Sequence, residues 1–272
     1  SNPHKGYGSV ATVSVNAEPV KGLDFVASYT HTVSKEVTGM PGSNASAAWK
    51  YIPSVDGPNF NILHNSSYNR VPDRLMASVS YTDKAHNHWS LLYEGLRYAG
   101  NSFIYSNDMN GDGYAYDLMY IPANKNEIRF IDSDNESRFW EFVDQDKYLS
   151  ANKGKYAEAY AVTQPMRHVF DFRYAHDFIV KVGNTKNTLQ LSMDVQNVGN
   201  LFNSQWGVSK AWSPDVPKDG NGNAKIVKFE RIDPDGVPVF STAVSSGAKS
   251  WDYSHTLANC WYMQIGIKYM FN

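Results

Sequence analysis

Cysteine is nearly absent: Cys260 is the only one in 272 residues. A single thiol closes no internal disulfide and builds no cysteine metal cluster. Also missing is a run of about 18 apolar residues, which excludes a membrane-spanning helix. Charge of one sign is not in excess either. The formal net charge is −2, so nothing points to a nucleic-acid partner. No nucleophile elbow or other catalytic motif is present, and no enzyme is expected. No signal-peptide pattern is visible in these residues. The first residues, SNPHKGYG, read as the interior of a longer protein, so an excised piece is expected.

What the chain has is aromatics and alternation. Aromatic residues make up 14%, with 18 Tyr among them. Tyr favours strands and membrane–water boundaries. In LQLSMDVQ, Leu189, Leu191, Met193 and Val195 share one face, and Gln190, Ser192, Asp194 and Gln196 the other. That period of two predicts an amphipathic strand. The same pattern runs through VATVSVNA (10–17), LDFVASYT (23–30), RLMASVSYT (74–82), FDFRYAHDF (170–178) and the C-terminal NCWYMQIGIKYMFN.

The connections have a rhythm. Short ones (18–22, 83–88, 181–187) alternate with long ones (roughly 36–72, 106–166 and 199–225). Loops that long are uncommon in a compact soluble domain, whereas a transmembrane β-barrel has short turns on one rim and long loops on the other. Segments 226–232 and 237–244, joined by the turn signal DPDG, predict a hairpin within the loops. The apolar residues of Glu136–Leu149 predict one short helix, capped by Ser137 or Asn135. About eight long strands are expected in all.

Two stretches raise specific functions. In SNDMNGDGYAYD (106–117), Asp108, Asn110 and Asp112 alternate before Gly113, as in a calcium loop, and Asp117 could join them. Position 12 of such a loop, where a bidentate Glu belongs, is Met119, so the match is half a site. The bland alternative is a tight turn built on Asx and Gly residues. KDGNGNAK (218–225) repeats the look more weakly. His86 and His88 have no third ligand in view and read as turn residues. Trp206 and Trp212 suit either an interface anchor or a ligand contact, and Cys260 reads as structural.

The second stretch closes the chain. Gln264, Gly266, Tyr269 and Phe271 fit polar-x-Gly-x-x-aromatic-x-aromatic. This resembles the signal that barrel assembly machinery reads on the last strand of an outer-membrane barrel, with Asn272 as a departure. An unpaired terminal strand can add to another sheet through its backbone groups.

Taken with SKEVTGMPGSNASAAW (34–49), YSNDMNGDGYAYDLMYIP (105–122), FWEFVDQDKYLSANKGKYAE (139–158) and DVQNVGNLFNSQWG (194–207), the closing strand makes the chain similar to the C-terminal part of a TonB-dependent outer-membrane receptor, of the type with an N-terminal carboxypeptidase-regulatory-like domain and a plug. The resemblance implies that residues 1–272 are a segment of an all-β, antiparallel, 22-stranded transmembrane barrel. It also implies a plug and N-terminal domain outside this chain, lipid around the barrel, energy from the TonB complex acting through that plug, and import of a bulky nutrient. A surface lipoprotein is a further partner it allows. Alone, the segment is not expected to transport. Where the family commonly has Arg-Asn after Tyr-Ala-Glu, this chain has Ala159 and Tyr160. The rival expectation is a soluble secreted β-sandwich that binds carbohydrate or protein and holds calcium in its loops. A barrel segment should show two open sheet edges and a bare apolar face.

Overall fold

The computed structural model describes residues 5–37, 44–57, 63–66, 70–183 and 185–271. Residues 38–43 of the family-like stretch and the terminal Asn272 lie outside them. Seven long strands form one antiparallel sheet: β1 Tyr7–Val20, β2 Leu23–Glu36, β3 Arg70–Thr82, β4 Asn87–Asn101, β5 Arg167–Val182, β6 Thr185–Gln196 and β7 Tyr262–Phe271. Sequence neighbours are also neighbours in space, from β1 at one edge to β7 at the other. Seven long strands stand where about eight were expected. The further strands are short and belong mostly to the loops.

The short connections sit at one end of the sheet. Between β1 and β2 the chain turns at Gly22, with φ of 84°. A Cβ there would fall 2.7 Å from the Thr82 carbonyl oxygen, so only glycine lets this turn lie against β3. Between β3 and β4, the Asp83 carboxylate accepts the amides of Ala85 (2.8 Å) and Asn87 (2.9 Å). This Asx turn draws that carboxyl below its usual range, the Asn87 side-chain amide adding most to the effect.

At the other end the three long connections fold together into a cap. Helix α1, Ala45–Lys50, is capped by Asn44. Helix α2, Ser133–Gln145, buries Phe139, Trp140, Phe142 and Val143. Its N-cap is Asp132, whose carboxylate accepts the Asn135 amide at 2.7 Å, rather than Ser137 or Asn135. Asp132 wins because a carboxylate at that point also meets the positive end of the helix. The helix does not run to Leu149 either. Asp146 ends it and caps α3, Lys147–Ala151, through the amides of Tyr148 and Leu149, both 2.9 Å away. Helix α4, Val198–Phe202, leaves β6.

A four-stranded mixed sheet ties the cap together, in the order Phe103–Tyr105, Ala224–Ile232, Pro238–Thr242, Arg129–Phe130. The hairpin expected around DPDG is its centre. Strands from connections more than a hundred residues apart lie side by side here. Trp212 stacks on Trp251 with ring centres 4.2 Å apart and donates to the Gly222 carbonyl at 2.7 Å.

The core lies in this cap. Among the described residues, Phe103, Ile104, Met119, Ile121, Phe142, Leu149 and Ile226 are the kind of side chain it buries, all at most 1% exposed. The long strands contribute nothing to that cluster. Ala99, Ala175 and Val195 are their buried apolar residues. A sheet this wide, with one apolar face and no core, has left that face bare.

Candidate functional site

Residues directly opposite one another in an antiparallel pair point to the same face, so the register shows what that face presents. One row reads Ala17, Phe25, Val79, Leu91, Phe172, Val195, Met263 across all seven strands. The next reads Leu23, Tyr81, Trp89, Tyr174, Met193, Ile265. Val195 is buried, but many of these side chains stand in the open: Val79 is 39% exposed, Trp89 43%, Ile265 71%. The opposite face reads Asp24, Ser80, Ser90, Arg173, Asp194, Gln264, with Arg173 donating to Asp194 at 2.7 Å.

The apolar face is a band with limits. On β4 it runs from Trp89 through Leu91 and Tyr93 to Gly95, and is closed by Asn87 below and Arg97 above. The six residue steps from Trp89 to Gly95, at about 3.3 Å each, give an apolar length of about 20 Å along the strand, and the polar limits lie ten steps apart. Tyr93 lies over Gly95 and its hydroxyl meets His168 at 2.8 Å. At the upper limit Asp73 gathers Tyr29 (2.7 Å), His31 (3.1 Å) and Arg97 (3.5 Å). At the lower limit Asn87 takes the Tyr174 hydroxyl at 2.7 Å and pairs with His176 at 2.8 Å. Polar groups are therefore paired where the band ends.

From β2 to β4 the upper limit is level, His31, Asp73 and Arg97 being directly opposite, but from β4 to β6 the band is slanted. Its upper limit moves from Arg97 on β4 to His168 on β5, two residues further along the register. Its lower limit moves from Asn87 on β4 to Asn187 on β6, four residues over two strands, past Phe178 and Leu189. Strands inclined by about 45° and spaced about 4.8 Å apart would shift a level boundary by about three residues over two strands. One face is sampled at every second residue, so two or four is what such a tilt produces. His176 interrupts the band on β5, its ring edge-on to Phe178 at 4.4 Å.

The terminal-strand residues fall as their pattern requires. Tyr269 and Phe271 lie on the apolar face, opposite Leu189 and Asn187, at 60% and 78% exposed. Gln264 and Gly266 lie on the polar face, opposite Asp194 and Ser192. The outer edge of β7 and that of β1 have no partner strand among the described residues.

The Asp108 loop sits in the cap. Asp108 accepts the amides of Gly111 (2.7 Å) and Gly113 (2.8 Å), Asn110 that of Asp112 (2.9 Å), and Asp112 that of Tyr114 (2.9 Å). Asp117, 4% exposed, closes the base by accepting the Met109 amide at 2.6 Å. Burial raises its carboxyl above the usual range against those amides, and Asp112 and Asp108 add to the rise. The four residues stay together, and their oxygens serve the loop's own amides as in a tight turn. Among the described residues no three His, Cys, Asp or Glu side chains gather as a metal site. The second Asx loop is built alike, on Asp219 and the amides of Asn221 and Asn223. The two loops meet at Tyr116, which burial and Asp219 push to about 12.

Other sequence candidates separate. His88 bonds Asp177 (3.1 Å) and Thr82 (3.1 Å). Trp212 is a core residue, while Trp206 is 58% exposed. Cys260 is exposed just before β7. Ala159 and Tyr160 are buried, and their carbonyls accept from Asn65 and Arg70, both at 3.3 Å. Residues that alternation alone passed over are the charged ends of the band. Asp73 and Arg97 break an apolar register, and that break is the signal that could have found them.

No helix among the described residues is long and apolar enough to cross a membrane. Comparison with known protein families, curated proteins and solved structures gave no match.

Proposed function

We propose that the seven long strands are part of a transmembrane β-barrel of an outer membrane, in a transporter that binds a bulky nutrient at its cap and imports it with energy supplied through TonB. The observation that carries this reading is the band: apolar across every strand, edged by paired polar groups and, from β4 to β6, slanted; at the tilt of such a barrel, about 45°, its polar limits on β4 would stand about 23 Å apart. Bilayer hydrocarbon satisfies such a face, and water does not. The polar face would then line the lumen, and the free edges of β1 and β7 would close against further strands of the same barrel.

On this reading β7, through Gln264, Gly266, Tyr269 and Phe271, addresses the chain to barrel assembly machinery. The plug that TonB pulls on lies in sequence beyond these residues, and a surface lipoprotein would cover the cap. The rival sandwich needs a second sheet over the apolar face. The second sheet here packs within the cap instead, which counts against it.

Partitioning tests the proposal. The chain is produced in a host with an outer membrane and fractionated with and without detergent. Recovery with the membrane, and release only by detergent, is the expected result. A monomer that stays dispersed in detergent-free buffer would overturn it.

A further inference from the structure

Above the band, where Arg97 and His168 close it, a groove runs between the sheet and the cap. One part, about 840 Å³, is lined by Arg97, Lys147, Lys249 and Trp251 among others. A second, about 450 Å³, is lined by His168, Phe170, Trp206 and Tyr253. Pro165, Met166 and Lys210 line both, so the two parts adjoin. Arg97, His168 and Phe170 belong to the apolar face, which places the groove on that side of the sheet.

Its charge runs against that of the chain, which is net negative. Arg97, Lys147, Lys210 and Lys249 gather along it, and the carboxylates beside them are engaged. Asp146 caps α3 and accepts from Ser250 at 2.5 Å, and Glu141 accepts from Gly247 at 3.2 Å. Lys147 and Lys249 are exposed and have no ion pair or hydrogen bond among the described residues. Lys210 lies 4.5 Å over the Tyr253 ring. Arg97 reaches Asp73 at 3.5 Å through one nitrogen, while its Nε is buried without a partner.

We propose that this groove binds the phosphate headgroup of an anionic lipid in the leaflet around the upper rim. The lysines and Arg97 hold the phosphate. The acyl chains descend over Phe170, Tyr93 and Phe172, and the exposed Trp206 sits at headgroup level. The inference rests on the membrane-spanning reading. It goes beyond it by naming which side chains select which lipid. A free phosphate would use the cations and forgo the apolar face directly below them.

The test uses the 272-residue chain in mixed micelles carrying phosphatidic acid or phosphatidylcholine with identical brominated chains, read by quenching of tryptophan fluorescence. Wild type is expected to bind phosphatidic acid about tenfold more tightly or better, and Lys147→Ala with Lys249→Ala to lose that preference. Neither lysine has a partner to lose, so the double variant should keep the wild-type circular dichroism. A preference that survives in the variant overturns the proposal. So does displacement of the lipid by inorganic phosphate at millimolar concentration. A chain that needs detergent yet shows no lipid preference overturns this proposal alone. A chain that stays dispersed without detergent overturns the membrane reading and this proposal with it.

Discussion

Arginine at position 79 separates the two environments the apolar face could occupy. Val79 lies on β3 near the middle of the band, between Phe25 and Leu91, and is 39% exposed. Ser78 beside it points to the polar face, between Val26 and Leu92, with no cation opposite. If the face meets water, Val79→Arg is a surface change and should fall within about 0.5 kcal/mol of wild type. If it meets hydrocarbon, an arginine near the midplane costs about 2 to 4 kcal/mol, roughly 30- to 900-fold in the folded-to-unfolded ratio. Ser78→Arg, one residue away, should cost less than about 1 kcal/mol in either case. Urea unfolding in lipid vesicles, followed by tryptophan fluorescence, measures both variants. We expect Val79→Arg to lower the midpoint sharply and Ser78→Arg to leave it nearly in place. Equal midpoints for the two would refute the assignment of faces, and with it the band.

The cap supplies further tests. Burial pushes Tyr105 to about 12, against an ordinary value near 10. Its neutral form is favoured by folding, so the stability it contributes is full below pH 10 and lost as pH rises towards 12. That loss is about 2 to 3 kcal/mol. The cap's urea midpoint should be flat from pH 7 to 9 and drop beyond 10, and a flat profile to pH 12 would count against this. Asp146→Ala removes the oxygen that accepts two amides and the partner of Ser250 and should cost about 2 to 3 kcal/mol; a loss under about 1 kcal/mol would mean α3 needs no cap. Asp117→Asn keeps an acceptor for Met109 and removes a buried charge from beside two others, so in calcium-free buffer it should unfold at the same or a higher urea concentration. Adding calcium should leave the wild-type midpoint unchanged; a rise in wild type that Asp117→Asn lacks would make Asp117 a calcium ligand.

Alternation of two is a local property, and it alone determined much of this protein. It set which residues of each strand share a face and placed Tyr269 with Phe271 opposite to Gln264 and Gly266. Chain length between the alternating stretches likewise determined where the turns are tight and where the loops are long, and DPDG marked the hairpin between 226 and 244. Tertiary structure decided what depends on neighbours distant in sequence. Phe103–Tyr105 becomes a strand because Ala224–Ile232 lies beside it, and neither segment encodes the other's position. The helix of the second loop is capped at Asp132 and breaks at Asp146 because caps compete, and Asp146 gains Ser250 from a connection about a hundred residues away. The limits and slant of the band appear only when seven registers are laid side by side. A single strand tells which residues point outward, but not how far its neighbour has slipped, and that slip is fixed by turn geometry and pairing between strands.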